Sequence, residues 1–121
     1  MEALFQRHKN EAAFLFVYIR EAHPADGWQM ASNKTDNVVF NEPIVMDERQ
    51  SVAQSCRARL NLSFPCVVDT MDNHVDGLYA AWPERIFVVD RHGKIAYAGK
   101  EGPWGFKPEE AERVLRRVIR R

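Results

Sequence analysis

The sequence has very little cysteine and no net charge. Only 2 of its 121 residues are cysteine, too few for the disulfide framework of a small secreted protein. Its 17 Lys and Arg residues balance 17 Asp and Glu residues, so no overall basic field attracts nucleic acid or an anionic membrane. We therefore expect a partner other than nucleic acid or a membrane.

A long hydrophobic run and a targeting segment are also missing. The longest apolar run covers only residues 12–19, whereas a membrane-spanning helix needs about 20 residues. The first ten residues carry Glu2, Arg7 and Lys9 among apolar ones, unlike the hydrophobic centre of a signal peptide. These features predict a protein of the cytoplasm.

The remaining composition is that of one ordinary folded domain. Hydrophobic residues make up 45% of the chain, enough for a single core at this length, so we expect one domain over residues 1–121. Apolar periodicity and turn residues then predict an α/β fold. The predicted elements are a helix over residues 1–11, a strand over 14–19, a helix capped by Asp47 with Gln50, a strand over 66–69, a helical turn over 75–79, a hairpin of 85–90 with 94–98, and a helix from Pro108.

A carboxylate and an imidazole follow the first predicted strand. Glu21 and His23 leave its carboxyl end, where α/β sheets place ligand sites. A carboxylate beside an imidazole fixes its tautomer and raises its pKa, which suits proton transfer. Trp28 would supply an aromatic wall. The alternatives are a solvated loop histidine with Trp28 in the core, and a weaker metal site of Glu21, His23 and Asp26.

Two other segments offer candidate residues in the second half of the chain. Pro83 precedes a predicted strand, a position where a cis peptide bond is conceivable, and Glu84 and Arg85 follow it. Trp104 lies in a Gly/Pro loop over residues 102–106 that would either line a pocket or clamp the last helix. The acidic run over residues 69–77 lacks the spacing of a calcium loop, so we reject that site.

The two cysteines do not form a redox motif in the sequence. Cys56 lies on the apolar face of a predicted helix and Cys66 starts a strand, so neither belongs to a Cys-x-x-Cys pair. We interpret them as two core thiols. A redox pair remains open if their Cα atoms lie within about 7 Å.

Several blocks together resemble the iodothyronine deiodinase family. They are FLFVYIREAHPADGW (residues 14–28), MDER (46–49), VVDTMDN (67–73), YAAWPERIFVVD (79–90), GKIAYAG (93–99) and GPWGF (102–106). The resemblance implies a thioredoxin-like fold in which a cysteine or selenocysteine takes iodine from an aromatic ring, and an external thiol reductant regenerates it without a bound cofactor or metal. It implies proton delivery by Glu21 and His23.

The resemblance also assigns substrate contacts and shows departures. A Glu-Arg pair of the family falls on Glu84 and Arg85. Together with the aromatic candidates Trp28 and Trp104, these are the expected contacts of a small aromatic or halogenated substrate, and a homodimer is left open. A family histidine falls near Pro43, and a basic residue falls at Glu101.

The resemblance places the family's nucleophile before the first helix, in a segment that would lie upstream of Met1. That segment also supplies the central strand of a thioredoxin-like sheet. We therefore expect an N-terminally truncated form in which the two longest apolar strands each keep one open edge.

Three functions follow from these observations. The first is a deiodinase-like oxidoreductase whose nucleophile lies upstream of Met1. The second is a non-catalytic module that binds a ligand or partner through Glu21, His23, Trp28 and Trp104. The third is a peroxiredoxin-like thiol protein that uses Cys56 and Cys66.

Overall fold

The computed structural model describes residues 1–20 and 45–121. Its elements are a mixture of helices and strands, which confirms the α/β class. They are α1 (Glu2–His8), β1 (Phe16–Tyr18), α2 (Met46–Arg59), β2 (Cys66–Val68), α3 (His74–Tyr79), β3 (Phe87–Val89), β4 (Ile95–Ala98) and α4 (Pro108–Ile119). Within these residues, no helix is both long and apolar enough to cross a bilayer.

The chain divides into two compact units. One contains Glu2 and residues 15–82, and we call it the parallel unit; the other contains residues 1, 3–14 and 83–121, and we call it the hairpin unit. Within the described residues, β1 pairs only with β2 and β3 only with β4. The single-domain organisation stays a prediction.

A parallel strand pair forms the centre of the parallel unit. Phe16 pairs with Cys66 and Tyr18 with Val68, so the carboxyl ends of β1 and β2 lie at the same edge. Tyr18, Ala53 and Phe64 are buried, and α2 contributes Ala53 to this core. The strand predicted from the unbroken apolar run is therefore confirmed, although β1 is shorter than the predicted residues 14–19.

The start of α2 differs from the prediction. The helix begins at Met46 with Val45 at the cap, and no side chain makes a capping hydrogen bond. Asp47 lies inside the first turn, where its negative charge interacts favourably with the helix dipole. The predicted capping box of Asp47 and Gln50 is wrong because the helix starts two residues earlier than the cap motif indicates.

The hairpin unit follows its local sequence signals. β3 and β4 pair antiparallel, with Phe87 opposite Ala98 and an irregularity between Val88 and Val89. The Asp90 carboxylate accepts hydrogen bonds from the backbone N–H groups of His92 and Lys94 across the turn. These bonds, the one from Lys94 foremost, lower the pKa of Asp90. The hairpin is confirmed.

The last helix and most of the first helix belong to the hairpin unit. Pro108 occupies the first turn of α4, as predicted, and Ala111 on this helix is 2% exposed. In α1 the buried residues are Leu4 and His8. His8 is 6% exposed although its side chain is polar.

The short helix α3 turns through an unusual conformation at both ends. Asn73 before it has φ 58° and Ala80 after it has φ 48°, both in the left-handed region. The predicted helical turn over residues 75–79 is confirmed.

Candidate active site

Polar side chains gather where the two parallel strands end. Arg20 lies two residues after β1, and Asp69 follows β2 directly. Ligand sites of α/β sheets lie at this edge. Several of the charged side chains at this edge are buried. Their hydrogen bonds therefore determine which of them can bind a ligand.

Asp69 is the most heavily hydrogen-bonded carboxylate at this edge. It is 2% exposed, and its oxygens accept the backbone N–H groups of Thr70, Val75 and Asp76 at 2.8, 2.9 and 2.9 Å. Burial alone would raise the pKa of Asp69, but these hydrogen bonds and the charge of Arg49 lower it overall. The ionised carboxylate therefore fixes the loop that leads into α3.

A buried arginine supports the same loop from α2. Arg49 is 2% exposed, and its terminal nitrogens donate to the Thr70 carbonyl at 2.8 Å and to the Asn73 side chain at 3.0 Å. A planar guanidinium suits such a site because several of its N–H groups bond at once. Arg49 thereby links α2 to the loop after β2.

Asp76 joins this loop to the end of β1. Its Oδ2 accepts the Nε–H of Arg20 at 2.9 Å, and its Oδ1 accepts the backbone N–H of Trp82 at 3.0 Å. The Arg20 guanidinium also lies 4.8 Å from the centroid of the Trp82 ring, within cation–π range. We call these three residues the Arg20 cluster.

Sequence reasoning missed the Arg20 cluster. Its only local signal was a charged residue at the carboxyl end of a buried strand. The interpretation of residues 69–77 considered calcium alone. The carboxylates of Asp69 and Asp76 face N–H donors instead, an arrangement that agrees with the rejection of that site.

Three predicted site residues lie outside the described residues. They are Glu21, His23 and Trp28, which fall between residues 20 and 45. Their proposed roles in proton delivery and substrate contact stay predictions. The first described segment ends at Arg20, next to Glu21 in the sequence.

The other predicted contacts lie in the hairpin unit. Arg85 donates from Nε to the Gly99 carbonyl at 2.6 Å, and its guanidinium lies 4.7 Å from the centroid of the Phe87 ring. The Glu84 carbonyl accepts the N–H of Gly102 at 2.9 Å, and a Cβ on Gly102 would collide with the Glu84 side chain. Arg85 therefore contacts Gly99 and Glu84 contacts Gly102. These two glycines are the ends of the short segment that precedes Trp104.

Trp104 is the most exposed large apolar side chain of the described residues. It is 86% exposed, so it does not clamp the last helix. Its loop is closed by the N–H of Gly105 on the Glu101 carbonyl at 2.9 Å, and a Cβ on Gly105 would collide with that carbonyl. The exposed indole is accessible to a ligand.

The cis proline lies elsewhere than the sequence suggested. The cis peptide bond of the described residues joins Gly102 to Pro103, and the bond before Pro83 is trans. The sequence left the isomer of Pro83 open, and the structure has the trans isomer there.

Neither cysteine is part of a disulfide, and both are half-buried. Burial raises the pKa of the Cys66 thiol, and the positive charge of Arg57 offsets this only in part. A thiol with a raised pKa carries less of the reactive thiolate at neutral pH. The structure therefore gives Cys66 the character of a core thiol.

Comparison with known proteins gives a consistent result. A sequence model of the family described as "Iodothyronine deiodinase" matches residues 1–119. Type I iodothyronine deiodinase of Xenopus laevis is 41% identical over 104 residues, which are 86% of this chain and 39% of that protein. Type II iodothyronine deiodinase of Homo sapiens is 34% identical over 114 residues, 93% of this chain and 41% of that protein. The chain thus spans well under half the length of these relatives.

Proposed function

The chain belongs to the iodothyronine deiodinase family, and we propose that it is the larger part of the catalytic domain of a reductive dehalogenase for iodinated aromatic compounds. The family match over residues 1–119 carries this proposal. The two relatives are named for iodothyronines, which contain iodinated aromatic rings, so we propose that substrate class here.

We propose a thioredoxin-like arrangement for the complete protein. The order of a parallel β1–α2–β2 unit followed by a β3–β4 hairpin and α4 supports it. In the described residues β1 and β3 each pair on one side only. A further strand from a segment upstream of Met1 would pair with the open edges.

The proposed reaction transfers iodine from carbon to a nucleophile. A thiolate or selenolate from that upstream segment forms a bond to iodine as the carbon–iodine bond breaks, and the ring carbon takes a proton. His23 would deliver this proton, held in the correct tautomer by Glu21. Two equivalents of an external thiol would then reduce the sulfur–iodine or selenium–iodine bond, releasing iodide and a disulfide.

The described residues support a positioning role for the edge that precedes Glu21. The Arg20 cluster and Asp69 hold the carboxyl end of β1 with hydrogen bonds of 2.8–3.0 Å. Glu84, Arg85 and Trp104 are proposed substrate contacts, with Trp104 best exposed for that role. We further propose a cytoplasmic location and a thiol reductant that comes from solution.

An iodide-release assay tests the proposal. This chain and an upstream-extended chain are incubated with an iodothyronine and dithiothreitol. We expect release only by the extended chain, and a loss of at least tenfold in the variants His23→Gln and Glu21→Gln. His92→Gln in the exposed turn is the matched control. An extended chain that contains a Cys or selenocysteine and releases no iodide would contradict the proposal.

A non-catalytic ligand-binding module is the second candidate. The exposed Trp104 favours it, because an indole that is 86% exposed is free to contact a ligand. This candidate predicts that both forms bind an iodothyronine and neither releases iodide.

The thiol-protein candidate requires a Cys56–Cys66 crosslink after mild oxidation, which mass spectrometry would detect. The raised pKa of Cys66 argues against it. We therefore rank this candidate third.

A further inference from the structure

The guanidinium of Arg20 is fixed on one side and open on the other. Its Nε–H bonds to Asp76, and its plane lies over Trp82. In the described part of the chain, its two terminal nitrogens have no hydrogen-bond partner. The Arg20 side chain is 46% exposed, whereas that of Asp76 is 8% exposed. Among the described residues, the group is therefore anchored through its Nε–H and keeps its terminal N–H donors for a ligand.

The anchor itself is well fixed. Asp76 bonds Arg20 and Trp82 with separate oxygens, and its own backbone N–H donates to buried Asp69 at 2.9 Å. A side chain held in this way loses little conformational freedom when it binds a ligand, which raises affinity. Arg20 is thus prepared for binding before any ligand arrives.

The open edge of the guanidinium suits one ligand group in particular. Two parallel N–H donors match the two oxygens of a carboxylate. The Trp82 side chain beside it is 38% exposed and offers an apolar face to an aromatic ring. Both lie at the strand edge where α/β sheets bind ligands.

We propose that Arg20 recognises the carboxylate of an aromatic carboxylic or amino acid substrate, with Trp82 in contact with the ring. The inference rests on the proposed function, because it assigns a specificity residue for the same aromatic substrate class. It adds a residue that the sequence did not indicate and a polar group that the substrate must carry.

Paired small ligands test this assignment. The probes are 3-(4-hydroxyphenyl)propionate, its amide, and the 3-iodo derivative of each, with binding measured by calorimetry on the full chain. We expect the iodinated acid to bind about tenfold more tightly than its amide. Arg20→Gln should remove this preference and leave the affinity for the amide unchanged, because the amide lacks the charge that the guanidinium pairs with.

Two further variants keep the result interpretable. Arg20→Lys retains the charge without the planar fork and should keep part of the preference. It also replaces Arg20→Gln if the latter does not fold. Arg117→Gln removes an exposed arginine of α4 and should change nothing.

The outcomes separate this inference from the proposed function. Equal weakening of acid and amide by Arg20→Gln, an unchanged acid-to-amide ratio, or no binding of either acid would overturn the inference. If iodinated probes are preferred but Arg20 has no influence on the ratio, the inference fails and the proposed function stands. If Arg20 sets the ratio equally with and without iodine, the inference stands and the preference for halogenated substrates fails.

Discussion

Two carboxylates, one in each unit, collect several donors in different ways. Asp69 of the parallel unit accepts three backbone N–H groups from residues within seven positions of it. Glu112 of the hairpin unit accepts Arg7 at 2.9 and 3.0 Å, His8 at 2.8 Å and Arg116 at 3.0 Å. Arg7 and Glu112 are 105 positions apart.

The difference shows what each arrangement can achieve. Backbone donors have no side-chain freedom to lose, so the Asp69 loop is held closely and can position a ligand edge. Long side chains lose rotamer freedom when they pair, but they reach across the chain. Glu112 therefore joins the first helix to the last, with His8 buried beneath it at 6% exposure.

The largest effect should come from removing the buried carboxylate of the parallel unit. Asp69→Ala leaves three N–H groups without their acceptor and the buried Arg49 without a nearby negative charge. We therefore expect the free energy of unfolding to fall by about 3–5 kcal/mol. Urea unfolding measures this. Gln54→Ala on the exposed face of α2 is the control and should stay within about 0.5 kcal/mol. A loss for Asp69→Ala as small as that of the control would remove the distinction between the two carboxylates.

Glu112→Ala should have a smaller effect of the same sign. Its partners Arg7 and Arg116 are about half exposed and can be solvated after the change, whereas His8 cannot. We expect a loss of about 1–3 kcal/mol in the free energy of unfolding. Arg113→Ala, on the same helix without a described side-chain partner, is the reference. A loss larger than that of Asp69→Ala would reverse the comparison.

Acid should reduce the stabilisation of the fold by both carboxylates, and that by Glu112 should decrease at a higher pH than that by Asp69. Hydrogen bonds from Arg7, His8 and Arg116 hold the pKa of Glu112 far below its ordinary value of 4.5, and that of Asp69 lies below 3.8. Their stabilisation is complete above these ordinary values and decreases as pH falls below them, because the unfolded state then binds protons that the folded state resists. In urea titrations, Glu112→Gln should flatten the pH dependence from about pH 5 downwards and Asp69→Asn only from a lower pH. The opposite order would contradict this assignment.

The smallest effect should come from the exposed edge of the Glu112 cluster. Arg116 is 53% exposed and pairs with Glu112 one helical turn away, a geometry that contributes about 0.3–0.5 kcal/mol. Thermal unfolding of Arg116→Ala at low and high salt checks this. The difference from the unchanged chain should shrink in 1 M salt, where the screening length is about 3 Å. A difference that persists at high salt would indicate that Arg116 acts through packing.

Local patterns predicted what the chain builds locally. The apolar run of β1, the turn at Gly93 and the stripe of α4 each depend on residues close in sequence, and the structure has these elements. The predicted cap at Asp47 lies two residues after the observed cap at Val45, because a capping motif can also lie inside the first turn.

Contacts between side chains that are far apart in the sequence could not be predicted from local patterns. Arg20 and Asp76 are 56 positions apart, and no spacing rule connects them. The contact of buried His8 with Glu112 joins residues 104 positions apart, and no local pattern indicates it. The family resemblance gave Glu21 and His23, but the Arg20 cluster appeared only with the fold.

A substitution in the left-handed turn that ends α3 could increase the stability of the fold. Ala80 has φ 48° and ψ 51°, a conformation that costs an L-residue with a Cβ about 1 kcal/mol and glycine almost nothing. Glycine at this position would relieve that cost, although it would also enlarge the unfolded ensemble. Ala80→Gly is therefore a way to a more stable sample for crystallisation or spectroscopy that leaves every charged group at the strand edge unchanged.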